Sequence, residues 1–109
     1  MDSLLKLKTP PDAIFAASDY LAYGAMQVAF KNGLKVPKDI GLVGFSNEEF
    51  THQVTPTIST VDQYSERMGS IAATLLIDQL AINETKTKYA IQKKVIEPKL
   101  LIRESSQRK

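Results

Sequence analysis

A chain of 109 residues, 43% hydrophobic and 24% charged, is the size and balance of one small globular domain or part of a larger one. It has no cysteine, which excludes disulfides, thiol catalysis and cysteine zinc sites and fits a reducing compartment. The formal net charge is +2, with the positive excess gathered late in the chain from Lys86 to Lys109; no aromatic residues interleave it, so it reads as a solvated surface rather than a nucleic-acid contact.

The opening "MDSLLKLKTPPDAIF" lacks the shape of a signal peptide, and no apolar run approaches the roughly 20 residues of a membrane span. Pro10–Pro11 punctuate the entry to "AIFAAS", residues 13–18. This apolar run has no polar alternation, so it reads as a strand covered on both faces. Ser18 or Asp19 can cap a helix that runs to Asn32, with Ala22, Ala25, Met26 and Ala29 on its apolar stripe. Gly33 and Pro37 supply its stop.

"IGLVGF", residues 40–45, is a second buried strand, and strand, helix and strand form a parallel, right-handed βαβ unit. Ser46, Asn47, Glu48 and Glu49 then end the apolar run abruptly. Thr55-Pro56 opens an extended segment in which Ile58, Thr60 and Val61 suit a short strand. A second helix is expected from Tyr64 to Ile82, with Met68, Ile71, Ala72, Leu75, Leu76 and Leu80 on one stripe. Residues 83–88 read as a polar turn. "KKVIEPKLLIRES" holds a last strand that Pro98 divides or places at an edge.

The fold class is α/β, a partial doubly wound parallel sheet. Such sheets carry about five or more strands with helices on both faces. The strands here are too few, so much apolar surface is left for another copy or for further polypeptide to cover. The chain is expected to self-associate for that reason.

The chemistry on offer is narrow. His52 is the one histidine, there is no G-x-S-x-G elbow, and the turn "ASDYLAYG" lacks the glycines of a nucleotide cradle. No metal site, no cofactor and no catalytic constellation is read, so the chain is not expected to be an enzyme. In open α/β sheets ligands sit beyond the carboxyl ends of the parallel strands. Two strands deliver Ser18–Asp19 and Ser46–Asn47 to that edge. Two uses compete for these residues: capping and turn formation, or contact with a ligand.

The motifs P-D-A-I-F-A-A-x-D, G-L-x-V-P-x-D-I, V-G-F, T-P-x-I-S-T-V-x-Q, M-G-x-x-A-A-x-L-L and L-x-I-R-E-S stand in this order over residues 11–106. The set resembles the C-terminal part of the effector-binding domain of LacI/GalR-type bacterial transcriptional regulators. The resemblance implies a type I periplasmic-binding-protein-like fold of two lobes, with a sugar or related metabolite between them. Residues 11–63 and 89–106 would belong to the second lobe, and the helix at 64–83 would pack on the first. Met1 would then not be the natural start.

Carried over residue by residue, the effector site would use Ser18, Asp19, Ser46, Asn47 and Gln63. Ser18 stands where the family often has Asn, and Ser46 where it usually has Asp. The loss of that carboxylate removes a charge-assisted acceptor for hydroxyls, so an anionic ligand becomes an option. The family also forms homodimers. The matching surface would carry Tyr20, Tyr23, Met26, Gln27, Phe50, Thr51 and Val54, with the intramolecular core as the alternative place for Met26. Operator DNA would be bound only through an N-terminal head, and the location would be cytoplasmic without membrane contact. A periplasmic sugar-binding protein of a transport system shares the fold and is the main rival reading.

Overall fold

The computed structural model describes residues 1–84 and 90–108. They divide into two units, Met1–Asp62 together with the residues from Lys99 onward, and Gln63–Pro98.

The first unit is built on a four-stranded sheet in the order β1 (Ala13–Phe15), β2 (Gly41–Phe45), β3 (Ser59–Asp62), β4 (Lys99–Leu101). A short helix α1 (Asp2–Leu5) precedes it. β1, β2 and β3 are parallel, with Ile14 beside Leu42 and Gly44 beside Thr60. The expected βαβ unit is therefore present. β4 departs from the all-parallel expectation: it runs antiparallel to β3, Val61 opposite Leu100, as an edge strand directly after Pro98.

Helix α2 (Asp19–Lys31) covers one face. Ala22, Met26, Leu42 and Ile58 form a fully buried cluster, with Ile14, Ala16, Ala25, Val36, Phe50 and Val54 packed around it. The helix is closed at both ends: the Ser18 hydroxyl accepts from the Leu21 amide at 3.2 Å, and Gly33 adopts φ +73° after Asn32. Met26 is 1% exposed, which places it in this core and removes it from the expected dimer surface.

The other face of the sheet is open. Ala13, Phe15, Gly41, Val43, Val61 and Leu100 line a groove on it, and Phe15 is 65% exposed. The expectation that both faces are covered fails there because, among the described residues of this unit, α2 is the one long helix and it lies on the opposite side.

The closing segment ties the strands together after β4. The Ser105 hydroxyl donates to the Leu42 carbonyl at 2.6 Å and accepts from the Ser59 amide at 2.8 Å. The Leu42 amide donates to the Ser105 carbonyl. The Glu104 carboxylate accepts from both the amide and the hydroxyl of Thr57. Arg108 bonds to Pro37 and Asp12, ahead of β2 and β1 in the chain.

The second unit contains α3 (Ser65–Glu84) and the stretch 90–98. Ile71 and Leu75 are half-buried beside a hollow also lined by Ile91 and Ile96. Met68, Leu76, Ile77 and Leu80 are exposed. Of the turn expected at 83–88, residues 83 and 84 continue the helix and 85–88 lie outside the described residues.

Candidate functional site at the carboxyl edge of the strands

Strand β2 ends in a turn that no glycine eases. Ser46 has φ 113° and Asn47 φ 56°, both in the left-handed half of backbone space. Asn tolerates that region, whereas Ser at such a φ is held by its surroundings. The surroundings are on view in three consecutive amides. Ser46 donates to the Val61 carbonyl at 2.9 Å, Asn47 to the Thr60 hydroxyl at 3.1 Å, and Glu48 to the Asp19 carboxylate at 2.8 Å. All three N–H groups of the tip point into the protein.

Asp19 is the centre of this arrangement. It is 0% exposed, and its second carboxylate oxygen accepts from the Thr60 hydroxyl at 2.6 Å. A buried carboxylate with both oxygens bonded, in the first turn of α2, is favoured by the helix dipole. Gly44 makes room for it. A Cβ at position 44 would lie 2.2 Å from the Asp19 Oδ1 atom, so only glycine lets α2 seat its first residue against β2.

A second set of contacts holds the outer side of the tip. Asn47 accepts from the Arg103 guanidinium at 2.9 Å and donates to the Asp62 carboxylate at 3.1 Å. Arg103 also donates to the Thr51 hydroxyl at 2.6 Å and to the Ile58 carbonyl at 3.0 Å. The Thr51 hydroxyl in turn donates to the Glu48 carbonyl at 2.6 Å, across the short 3-10 helix Glu49–His52.

The sequence-expected site residues thus take different positions. Ser18, Asp19, Ser46 and Asn47 are brought to one edge. Ser18 caps α2, and Asp19 is sealed beneath the tip, closed to any solute in this geometry. The Asn47 side chain is engaged on both its atoms. Ser46 is half-buried, and its hydroxyl makes no hydrogen bond among the described residues. Gln63 follows β3 directly and is half-buried, as the first residue of the second unit.

Of the expected dimer surface, Tyr20 is 66% exposed and stacks at a tilt on Phe50, centroids 4.8 Å apart. Tyr23 meets the same ring edge-on at 5.8 Å. Gln27 is exposed, and Val54 is half-buried against the core. Thr51 is 0% exposed, so like Met26 it belongs to the interior, where its hydroxyl is used twice.

Among the described residues no group of three His, Cys, Asp or Glu side chains gathers to hold a metal ion. No described helix is long and apolar enough to cross a membrane.

Residues 1–106 match the family model of the periplasmic binding protein-like domain. The chain belongs to this family. Among its periplasmic binding protein-like relatives, the probable HTH-type transcriptional repressor ExuR of Bacillus subtilis is 37% identical over 92 residues, which is 84% of this chain and 28% of that protein. The HTH-type transcriptional repressor CytR of Escherichia coli is 41% identical over 80 residues, 73% of this chain and 24% of that protein. A solved structure of a putative LacI transcriptional regulator from Bacillus cereus subsp. cytotoxis superposes with a TM-score of 0.84 at 34% identity, over 97% of this chain and 36% of that one. The complex of the transcriptional regulator CelR with cellobiose gives 0.78 at 34% identity, over 87% and 28%. The recognition of LacI/GalR-type motifs is borne out, and these relatives are transcriptional regulators rather than enzymes. The chain spans under a third of the repressors it matches.

Proposed function

We propose that these residues form part of the effector-sensing and dimerisation region of a LacI-type transcriptional regulator, and that the strand edge around Ser46 is one wall of the effector site. The observation that carries the reading is the inward turn of the three tip amides. An anion at this edge would need those N–H groups or a free cation. The amides are used, and the Arg103 guanidinium is engaged with Thr51, Ile58 and Asn47. What is left unbonded at the tip among the described residues is the half-buried Ser46 hydroxyl, which suits a neutral molecule rich in hydroxyls and argues against the anionic option that the missing Asp left open.

Ser18 and Asp19 support the wall from behind, and Gln63, next in sequence after β3, keeps the effector-contacting amide proposed for it through the family resemblance. Tyr20, Tyr23, Gln27 and Phe50 form the surface offered to a second copy. The effector stabilises one conformation of the regulator, and through the dimer alters operator affinity. CelR is solved with cellobiose, and a LacI family regulator from Enterococcus faecalis with ribose. Calorimetric titration of the full-length protein with cellobiose, ribose and ribose 5-phosphate tests the ligand class: a neutral sugar is expected to bind, and uptake of the phosphorylated sugar alone overturns it. Operator DNA whose retention changes with the bound sugar separates the regulator from the transport rival, which binds sugar and no DNA.

A further inference from the structure

We propose that Arg103 is a positioning residue for the ligand-facing tip at Ser46–Glu48. This rests on the reading of that tip as a wall of the effector site. Arg103 comes after β4, 56 positions along the chain from Asn47. Its fork reaches three acceptors on three separate stretches: the Asn47 side chain, the Thr51 hydroxyl and the Ile58 carbonyl. A planar guanidinium with donors at fixed angles sets the relative places of such partners, which a lysine ammonium does not.

The chain of contacts continues past it. The Asn47 amide passes the contact on to Asp62, the last residue of β3, so guanidinium, amide and carboxylate lie in series across the ends of β2 and β3. An amide is the side chain that can both accept from Arg103 and donate to Asp62. A carboxylate at 47 would keep the first contact and face Asp62 with like charge. On the other branch, Thr51 accepts from Arg103 and donates to the Glu48 carbonyl, so the guanidinium fixes the tip at Asn47 directly and at Glu48 through one hydroxyl. The positive φ of Ser46 is held between these anchors.

The backbone of Arg103 is anchored separately. Its amide donates to the Ser59 hydroxyl at 2.7 Å and its carbonyl accepts from that same hydroxyl at 3.0 Å. Removing the side chain therefore loosens the tip while leaving the clasp of the closing segment on the strands.

The test is amide hydrogen exchange on the full-length protein without ligand, comparing wild type, Arg103→Ala and Asn47→Asp. Exchange at Asn47 and Glu48 is expected to rise about tenfold or more in both variants, with Leu42–Gly44 unchanged. Arg103→Lys is expected to recover less than half of the protection. The double variant Arg103→Ala with Asn47→Ala should not exceed Arg103→Ala, because loss of the guanidinium already breaks the Asn47 branch. In parallel, cellobiose and ribose titrations should show affinity about tenfold weaker in Arg103→Ala for whichever sugar the wild type binds. Unchanged exchange at the tip, a uniform rise across β2 and β3, or unchanged sugar affinity overturns the proposal. A wild type that binds neither sugar counts against the sensing reading alone, and the exchange pattern still decides for or against Arg103.

Discussion

Helices α2 and α3 are announced by the same signal in the sequence, apolar residues recurring at three and four positions, and they end differently. α2 has Ala22, Met26 and Ala29 fully buried, a side-chain cap at its start and a left-handed glycine after its end. α3 is longer, yet Met68, Leu76 and Leu80 of its stripe stand exposed, Leu76 at 57%. Periodicity specifies which face of a helix is apolar; it says nothing of what that face meets. α2 lies between two strands that pair in parallel, so its partner is fixed by connection. Among the described residues of its own unit, α3 has the half-buried contact beside Ile91 and Ile96.

This contrast can be broken or sharpened by substitution in the 109-residue chain. The largest effect is expected from Met26→Ala, which empties the centre of the α2 contact and should cost about 2–5 kcal/mol by urea denaturation. Gly44→Ala should follow at about 1–3 kcal/mol, because the new Cβ drives the Asp19 carboxylate off β2 and lifts the start of α2. Its signature beyond a lower Tm is faster proteolysis at residues 46–48. Thr60→Val keeps the shape but strands Asp19 Oδ1 and the Asn47 amide, and a loss of about 1–2 kcal/mol is expected in the same titration. Ser18→Ala removes the cap alone, about 1 kcal/mol, seen as fraying of the first turn in amide exchange. Leu76→Ala on α3 should move the melt by less than about 0.5 kcal/mol. A Leu76→Ala loss as large as that of Met26→Ala would erase the contrast between the helices.

The parts legible in the sequence are those settled within a short stretch. The βαβ unit, both long helices and the polar tip at Ser46–Asn47 follow from local pattern. The Ser18–Asp19 pair was legible as a helix start, but its division of labour was not. Ser18 bonds three residues away, while Asp19 bonds to Glu48 and Thr60, 29 and 41 positions on. Thr60 and Gly44 read as ordinary strand residues until the register places them against Asp19. Arg103 stood in a motif with no role, since nothing near it in the chain names Asn47 as its partner. Thr51 reads as a surface residue and Met26 as either surface or core, because residue type and helical spacing leave the inner and outer sides of a turn open; burial decides both. The antiparallel β4 was missed because an apolar triplet after proline carries no direction.

The clasp made by Arg103, Glu104 and Ser105 also has a meaning in time. A ribosome delivers the chain from its N-terminal end, so β1, β2 and the Ser46–Glu48 tip leave the exit tunnel well before the residues that hold them. Until position 103 has been added, Asn47 and Thr51 lack their guanidinium and Leu42 lacks its partner from Ser105. A nascent chain stalled short of that point holds the Ser46–Glu48 tip without its brace. The geometry of this edge is therefore completed only when residues 103–105 arrive.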